Sequence, residues 1–237
     1  MKPAQAPEEF DHYAESYEQV LGDALKVSGE DREYFARRRV EWLGECLKAE
    51  GERATSLLDY GCGDGSTTTL LAAILSAKRS IGVDTSSKSL DVARQKYGSS
   101  RLQFAAIGEH SPDASVDIAY CNGVFHHIPP AERQGCVRFV RDSLRPGGFF
   151  SFWENNPWNP GTRYVMSQCA FDRDAITLTP LEAKSLLRAG GFHVERTDFL
   201  FFFPRALKVL RPFEKFLMGV PLGAQYHILC RRLASGS

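Results

Sequence analysis

The 237-residue sequence has no excess of charge of either sign, because 29 basic side chains balance 29 acidic ones. An affinity built mainly on neutralising a nucleic-acid backbone or an anionic membrane is therefore not expected. Long hydrophobic runs are missing too: Leu70 to Leu75 and Phe199 to Phe203 fall far short of the roughly 20 residues that cross a bilayer. No integral membrane span is expected. The first thirty residues show no basic start, apolar block and small-residue cleavage site of a secretory signal, which points to a cytoplasmic protein. The cysteines Cys46, Cys62, Cys121, Cys136, Cys169 and Cys230 are dispersed, with no close pair to grip zinc and no dense disulfide framework. They read as reduced thiols, mostly in the core, and no metal site is expected. Internal repeats and low-complexity tracts are also missing.

What is there is a globular composition, 43% hydrophobic and 24% charged, in a chain long enough to bury a sizeable core. Residues 31–49 set Phe35, Trp42, Leu43, Cys46 and Leu47 three or four apart, the stripe of an amphipathic helix. The run SLLDY then stops at the turn GCGDG, and a helical segment follows through Leu70, Leu71, Ile74 and Leu75. The alternation repeats as SIGVD with Ser87 to Tyr97, then RLQFAAI, then SVDIAYC with a helix around Ala131 to Leu144. RPGG leads into GFFSFWE, apolar along its length as a central strand is. A loop, ENNPWNPG, a helix near Pro180 to Ala189 and the strand FHVERTDF follow. Strands alternating with helices imply an α/β fold, a mostly parallel sheet covered on both faces.

The most specific signal is Asp59-Tyr60-Gly61-Cys62-Gly63-Asp64-Gly65, where the first strand hands over to a helix. Glycine there lets the main chain take unusual angles and approach a ligand closely. A nicotinamide fingerprint needs its third glycine where Ser66 stands, and no Gly-Lys-Ser/Thr follows for a phosphate loop. Asp84 ends the next strand, where a carboxylate can accept from both ribose hydroxyls. The plainer reading is a tight turn plus an acid that caps the next helix, with Ser86 or Ser87 sharing that job.

These residues resemble the class I S-adenosylmethionine-dependent methyltransferases, in their small-molecule branch. The resemblance rests on DYGCGDG, on Asp84 as the ribose acid, on PDASVDIAYCNGVFHHI as the fourth strand and its exit, and on LRPGGFF as the turn into the fifth. It implies a Rossmann-like three-layer sandwich with a seven-stranded sheet, order 3-2-1-4-5-7-6, whose last strand, AQYHILCRR, runs antiparallel. FDHYAESYE looks like a lid helix, so residues 1–30 would form a lid region and 31–237 a single domain, with an apolar insertion at about 199–223. The implied cofactor is S-adenosyl-L-methionine, with contacts from Tyr13, Tyr17, Asp59, Gly61, Cys62, Gly63, Asp84, Thr85, Ala106, Ile107 and Asn122. The family's usual acid beside the adenine is missing after the third strand. Glu109 would substitute, or Ala106 and Ile107 would bind by main chain and apolar contact.

Methyl transfer is an in-line displacement at an activated carbon, so alignment and exclusion of water dominate and no metal is required. A base matters only for a protonated acceptor. His126 and His127 follow the fourth strand and Glu154 ends the fifth, so these three are the catalytic candidates. The plainer reading makes the histidines packing groups and Glu154 an anchor for Asn155 and Asn156. Tyr13 and Tyr17 share a helical face and would cover the cofactor, and Asp117 reads as structural. Residues 199–223 would line an acceptor pocket, meet a membrane or subunit, or, as their core-type composition favours, pack on the domain itself. The expected activity is O- or N-methylation of a small molecule without a nucleic-acid partner. A macromolecular methyltransferase, a catalytically silent binding module and a nicotinamide reductase are the alternatives.

Overall fold

Apolar runs closed by glycine turns become the strands of one sheet. The computed structural model describes residues 28–169, 172 and 175–234. Asp31 caps α1(Arg32–Ala49) by accepting from the Tyr34 amide at 2.7 Å. The chain then alternates β1(Ser56–Tyr60), α2(Ser66–Ile74), β2(Arg79–Asp84), α3(Ser87–Tyr97), β3(Leu102–Ala106), β4(Val116–Asn122), α4(Pro130–Ser143) and β5(Leu144–Asn155). After α5(Pro160–Gln168) and α6(Pro180–Ala189), β6(Phe192–Leu200) and β7(Gln225–Arg232) complete the sheet. The strand order is β3-β2-β1-β4-β5-β7-β6, as expected. The five strands from β3 to β5 run parallel, while β7 lies antiparallel to both β5 and β6.

Helices cover both faces. On one, Val137 and Val140 of α4 and Leu187 of α6 bury against Phe150 and Phe152 of β5. On the other, Leu43 and Leu47 of α1 and Leu71 of α2 bury against Leu57 and Trp153. Alternation along β5 feeds both cores, and each fully buried large side chain contributes about 1.5–3 kcal/mol. Asp117 is structural as expected: its carboxylate accepts from the Thr55 and Ser56 amides and from Arg145 at 2.8–3.0 Å, so β4 fixes the start of β1. All six cysteines are free thiols, and five are buried.

Two expectations need correction. The Asn/Pro stretch read as loop runs into a helix, α5, because Asn159 caps it, accepting from Thr162 N at 2.8 Å, and Pro160 sits at its first position. The insertion starts only after Leu200, since Phe199 and Leu200 are buried strand residues. Its helical part, Arg205–Phe216, is a 3-10 stretch kinked at Leu207, with Pro212 inside it and no buried residue. Val209, Phe213 and Phe216 are exposed, so this segment does not pack on the domain's own core. No helix among the described residues is long and apolar enough to cross a membrane.

Candidate active site

The β1–α2 turn is a left-handed corner, with φ of 77° at Gly61, 53° at Gly63 and 78° at Gly65. The three glycines serve different ends. A Cβ on Gly61 would collide with Val124, and one on Gly65 would lie 2.7 Å from Phe104, so both allow close packing. At Gly63 a Cβ would meet nothing within 4 Å among the described residues, so the backbone there is open to close approach. Asp84 ties this turn to the end of β2, accepting from Gly63 N at 2.8 Å and Ser86 N at 2.9 Å. Thr85 beside it is exposed.

Asp59 is buried beneath the turn and accepts from the Thr68 hydroxyl at 2.7 Å. Burial outweighs that bond and pushes its carboxyl up to about 7. The Cys62 thiol packs with Leu90, Ala93 and Phe104, and its amide donates to Val83 O, so this side chain shapes the turn from behind. Asp64 instead reaches outward to a bidentate pair with Arg32 at 2.9 and 3.0 Å, joining α1 to the turn.

At the end of β3, Ala106 pairs in register with Asp84, and Ile107 N donates to Asp84 O at 3.1 Å. Glu109 turns back on this corner, its carboxylate accepting from Ala106 N at 3.3 Å. Asn122 ends β4, and its Oδ1 is buried without a hydrogen-bond partner. Tyr13 and Tyr17 lie outside the described residues.

The three catalytic candidates come together at the exits of β4 and β5. Glu154 does not anchor the asparagines. It accepts from Phe125 N at 2.8 Å through Oε1 and contacts His126 Nδ1 at 2.5 Å through Oε2, with both side chains almost wholly buried. Asp172, after α5, brings Oδ1 to 3.3 Å from His126 Nε2 and 3.4 Å from His127 Nε2. Burial opposes a charge on His126, but Glu154 and Asp172 prevail and raise its pKa to about 10. Burial, with the His126 charge, lowers His127 to about 2.

His126, His127 and Asp172 edge a cavity of about 360 Å3. Phe35, Met166 and Phe201 supply apolar wall, and Asn122, His126 and Asp172 supply a polar side. The cavity therefore spans from the end of β4, beside the glycine turn, to the root of the insertion. Asp172, Arg32 and Asp64 escaped the sequence reading. Asp172 carries no local signature, whereas Asp64 stood inside the glycine motif and could have been suspected there.

Residues 58–152 match the family model described as a methyltransferase domain. A trans-aconitate 2-methyltransferase from Afipia carboxidovorans is 34% identical over 117 residues, 49% of this chain and 45% of that protein. The chain spans about half the length of the first curated relatives it matches, 47% of another trans-aconitate 2-methyltransferase for example. An N-demethylindolmycin N-methyltransferase from Streptomyces griseus is 26% identical over 64% of this chain and 68% of its own. In fold, an S-adenosylmethionine-dependent methyltransferase from Mesorhizobium loti matches with a TM-score of 0.59 at 22% identity, over 81% of this chain and 98% of that one. S-adenosylmethionine is the cofactor named for that solved structure, and the residues present here fit it. Gly63 leaves open the space a side chain would fill, Asp84 holds the turn at the end of β2, and Asn122 offers a buried acceptor without a partner among the described residues.

Proposed function

We propose that the protein transfers a methyl group from S-adenosylmethionine to an oxygen or nitrogen of a small molecule seated in the cavity beside His126. The observation that carries this reading is the continuity of the site: the cavity of about 360 Å3 begins at Asn122, the strand end next to the glycine turn. That volume lies in the range of small-molecule pockets, about 300–1,000 Å3, and favours a small acceptor over a macromolecular one.

When bound, the cofactor supplies a methyl carbon activated by a positive sulfonium. The chain's residues do the rest. Gly61 and Gly63 shape the turn under the amino-acid end, Asp59 supports it from below, and Asp84 holds the ribose. Ala106 and Ile107 flank the adenine. Phe35 and Phe201 exclude water from the reacting atoms, while Asn122 and His126 orient the acceptor from the polar side. Glu154 is a positioning residue that fixes the His126 ring and the Phe125 amide.

Calorimetry with S-adenosylmethionine and its demethylated product, followed by mass spectrometry of an acceptor panel for a gain of one methyl, tests the reading. Asp84→Ala is expected to weaken donor binding by about 1.5–3 kcal/mol through lost hydrogen bonds to a charged acceptor. No binding heat with folded protein, or donor affinity untouched in Asp84→Ala, would overturn it.

A further inference from the structure

The arrangement of His126, His127 and Asp172 asks for more than hydrogen bonding. Their donor atoms, two imidazole Nε2 and one carboxylate Oδ1, lie within 4.8 Å of one another. The distances from Asp172 Oδ1, 3.3 and 3.4 Å, are long for charge-assisted hydrogen bonds of about 2.7–2.9 Å. Asp172 Oδ1 is in fact buried without a bond of acceptable geometry among the described residues. Three metal bonds of about 2.0–2.1 Å at tetrahedral angles place their donor atoms about 3.3 Å apart. The two distances from Asp172 Oδ1 are therefore those of a coordination shell, and the two imidazole donors lie within 4.8 Å of each other.

Three further features agree. Glu154 Oε2 at 2.5 Å from His126 Nδ1 is the carboxylate partner that orients a ligating imidazole and leaves Nε2 facing outward. The backbone is pinned on both sides, since Ile176 N donates to His126 O at 2.8 Å and His127 N to Val124 O at 3.0 Å. Charge is the third. Two nearly buried carboxylates, Glu154 and Asp172, face the two imidazoles, and no lysine or arginine among the described residues pairs with either. Arg133 donates instead to the carbonyls of Ile128 and Ile176.

The contrast with a second cluster is informative. Cys46, Asp198 and His227 also lie close together. There Arg196 already grips Asp198 with two bonds of 2.7 and 2.8 Å, and Trp42 donates to it as well. None of the three residues lines the cavity.

We propose that His126, His127 and Asp172 bind a divalent transition-metal ion, zinc by the preference of a nitrogen- and oxygen-donor site with an open position, and that its open side faces the cavity. This departs from the metal-free site expected from the sequence. Only the identity of the occupant of that open side, an acceptor bound through oxygen, rests on the methyltransferase reading.

Untagged full-length protein stripped with a chelator should take up one equivalent of Zn2+ in calorimetry. Co2+ should give the visible absorption of a low-coordinate site. Asp172→Asn and His127→Ala should lose uptake, and Glu154→Gln should weaken it about 10–100-fold. Cys46→Ala should leave it unchanged. Circular dichroism and S-adenosylmethionine calorimetry on the same samples separate loss of the site from loss of the fold. Failure of stripped wild type to bind Zn2+, Mn2+ or Co2+, or uptake retained in Asp172→Asn, overturns the proposal. Metal uptake without S-adenosylmethionine binding would sink the methyltransferase reading and leave the metal site standing.

Discussion

At the residue scale, Asp59 and the glycines of its turn carry the clearest consequences. Its carboxyl titrates at about 7 in the folded chain, well above the roughly 3.9 of an unfolded one. Between those values the native state holds a proton that the unfolded state has released. Stability therefore falls as pH rises from about 4 to about 7 and stays lowered above that. Asp59→Asn should remove this dependence, so urea unfolding should show the variant gaining on wild type between about pH 4 and about pH 7. Gly61 and Gly63 share a left-handed φ but differ in surroundings. Alanine at either position costs about 1–2 kcal/mol for the backbone. At Gly61 the collision with Val124 adds about 1–3 kcal/mol. Urea unfolding should rank Gly61→Ala as the less stable variant. In Gly63→Ala the added methyl should show mainly as weaker S-adenosylmethionine binding by calorimetry. The motif that holds these glycines was plain in the sequence. What could not be read is which glycine packs and which opens outward, because Val124 and Phe104 come from other strands and turns.

At the element scale, Asp117 of β4 replaces a turn's worth of missing bonds at the edge of β1, accepting from two amides and an arginine. Those bonds outweigh partial burial and hold its carboxyl below the usual aspartate range. The stabilisation is complete above about pH 4 and disappears as pH falls through the lowered value. Asp117→Ala should cost about 1–3 kcal/mol near neutrality in urea unfolding, and the gap to wild type should narrow in acid. Most elements could be located from periodicity and glycine punctuation. Helix α5 could not, because Asn and Pro serve loops and helix starts equally well. Asn159 and Pro160 are in fact a cap and a first-turn proline. The insertion misled for the opposite reason. Its Phe, Leu and Val suit a core, yet a composition does not tell whether a neighbouring surface exists, and for Val209, Phe213 and Phe216 none does among the described residues.

At the scale of the whole molecule, the strand order places β4 at the centre, with its exit beside that of β1 on one side and β5 on the other. This reversal of winding explains how the glycine turn, the histidines and Glu154 meet at one crevice although they are far apart in sequence. Asp172 arrives from the connection beyond α5, a juxtaposition that no local pattern encodes. The sheet has also closed over most of the thiols: Cys46, Cys62, Cys121, Cys169 and Cys230 are buried, and only Cys136 is half-buried. The protein thus carries its own opening gauge. A maleimide added in excess should label the native molecule at no more than one position promptly and reach all six only as fast as the domain breathes. The spread of labelling times would then map which layer loosens first.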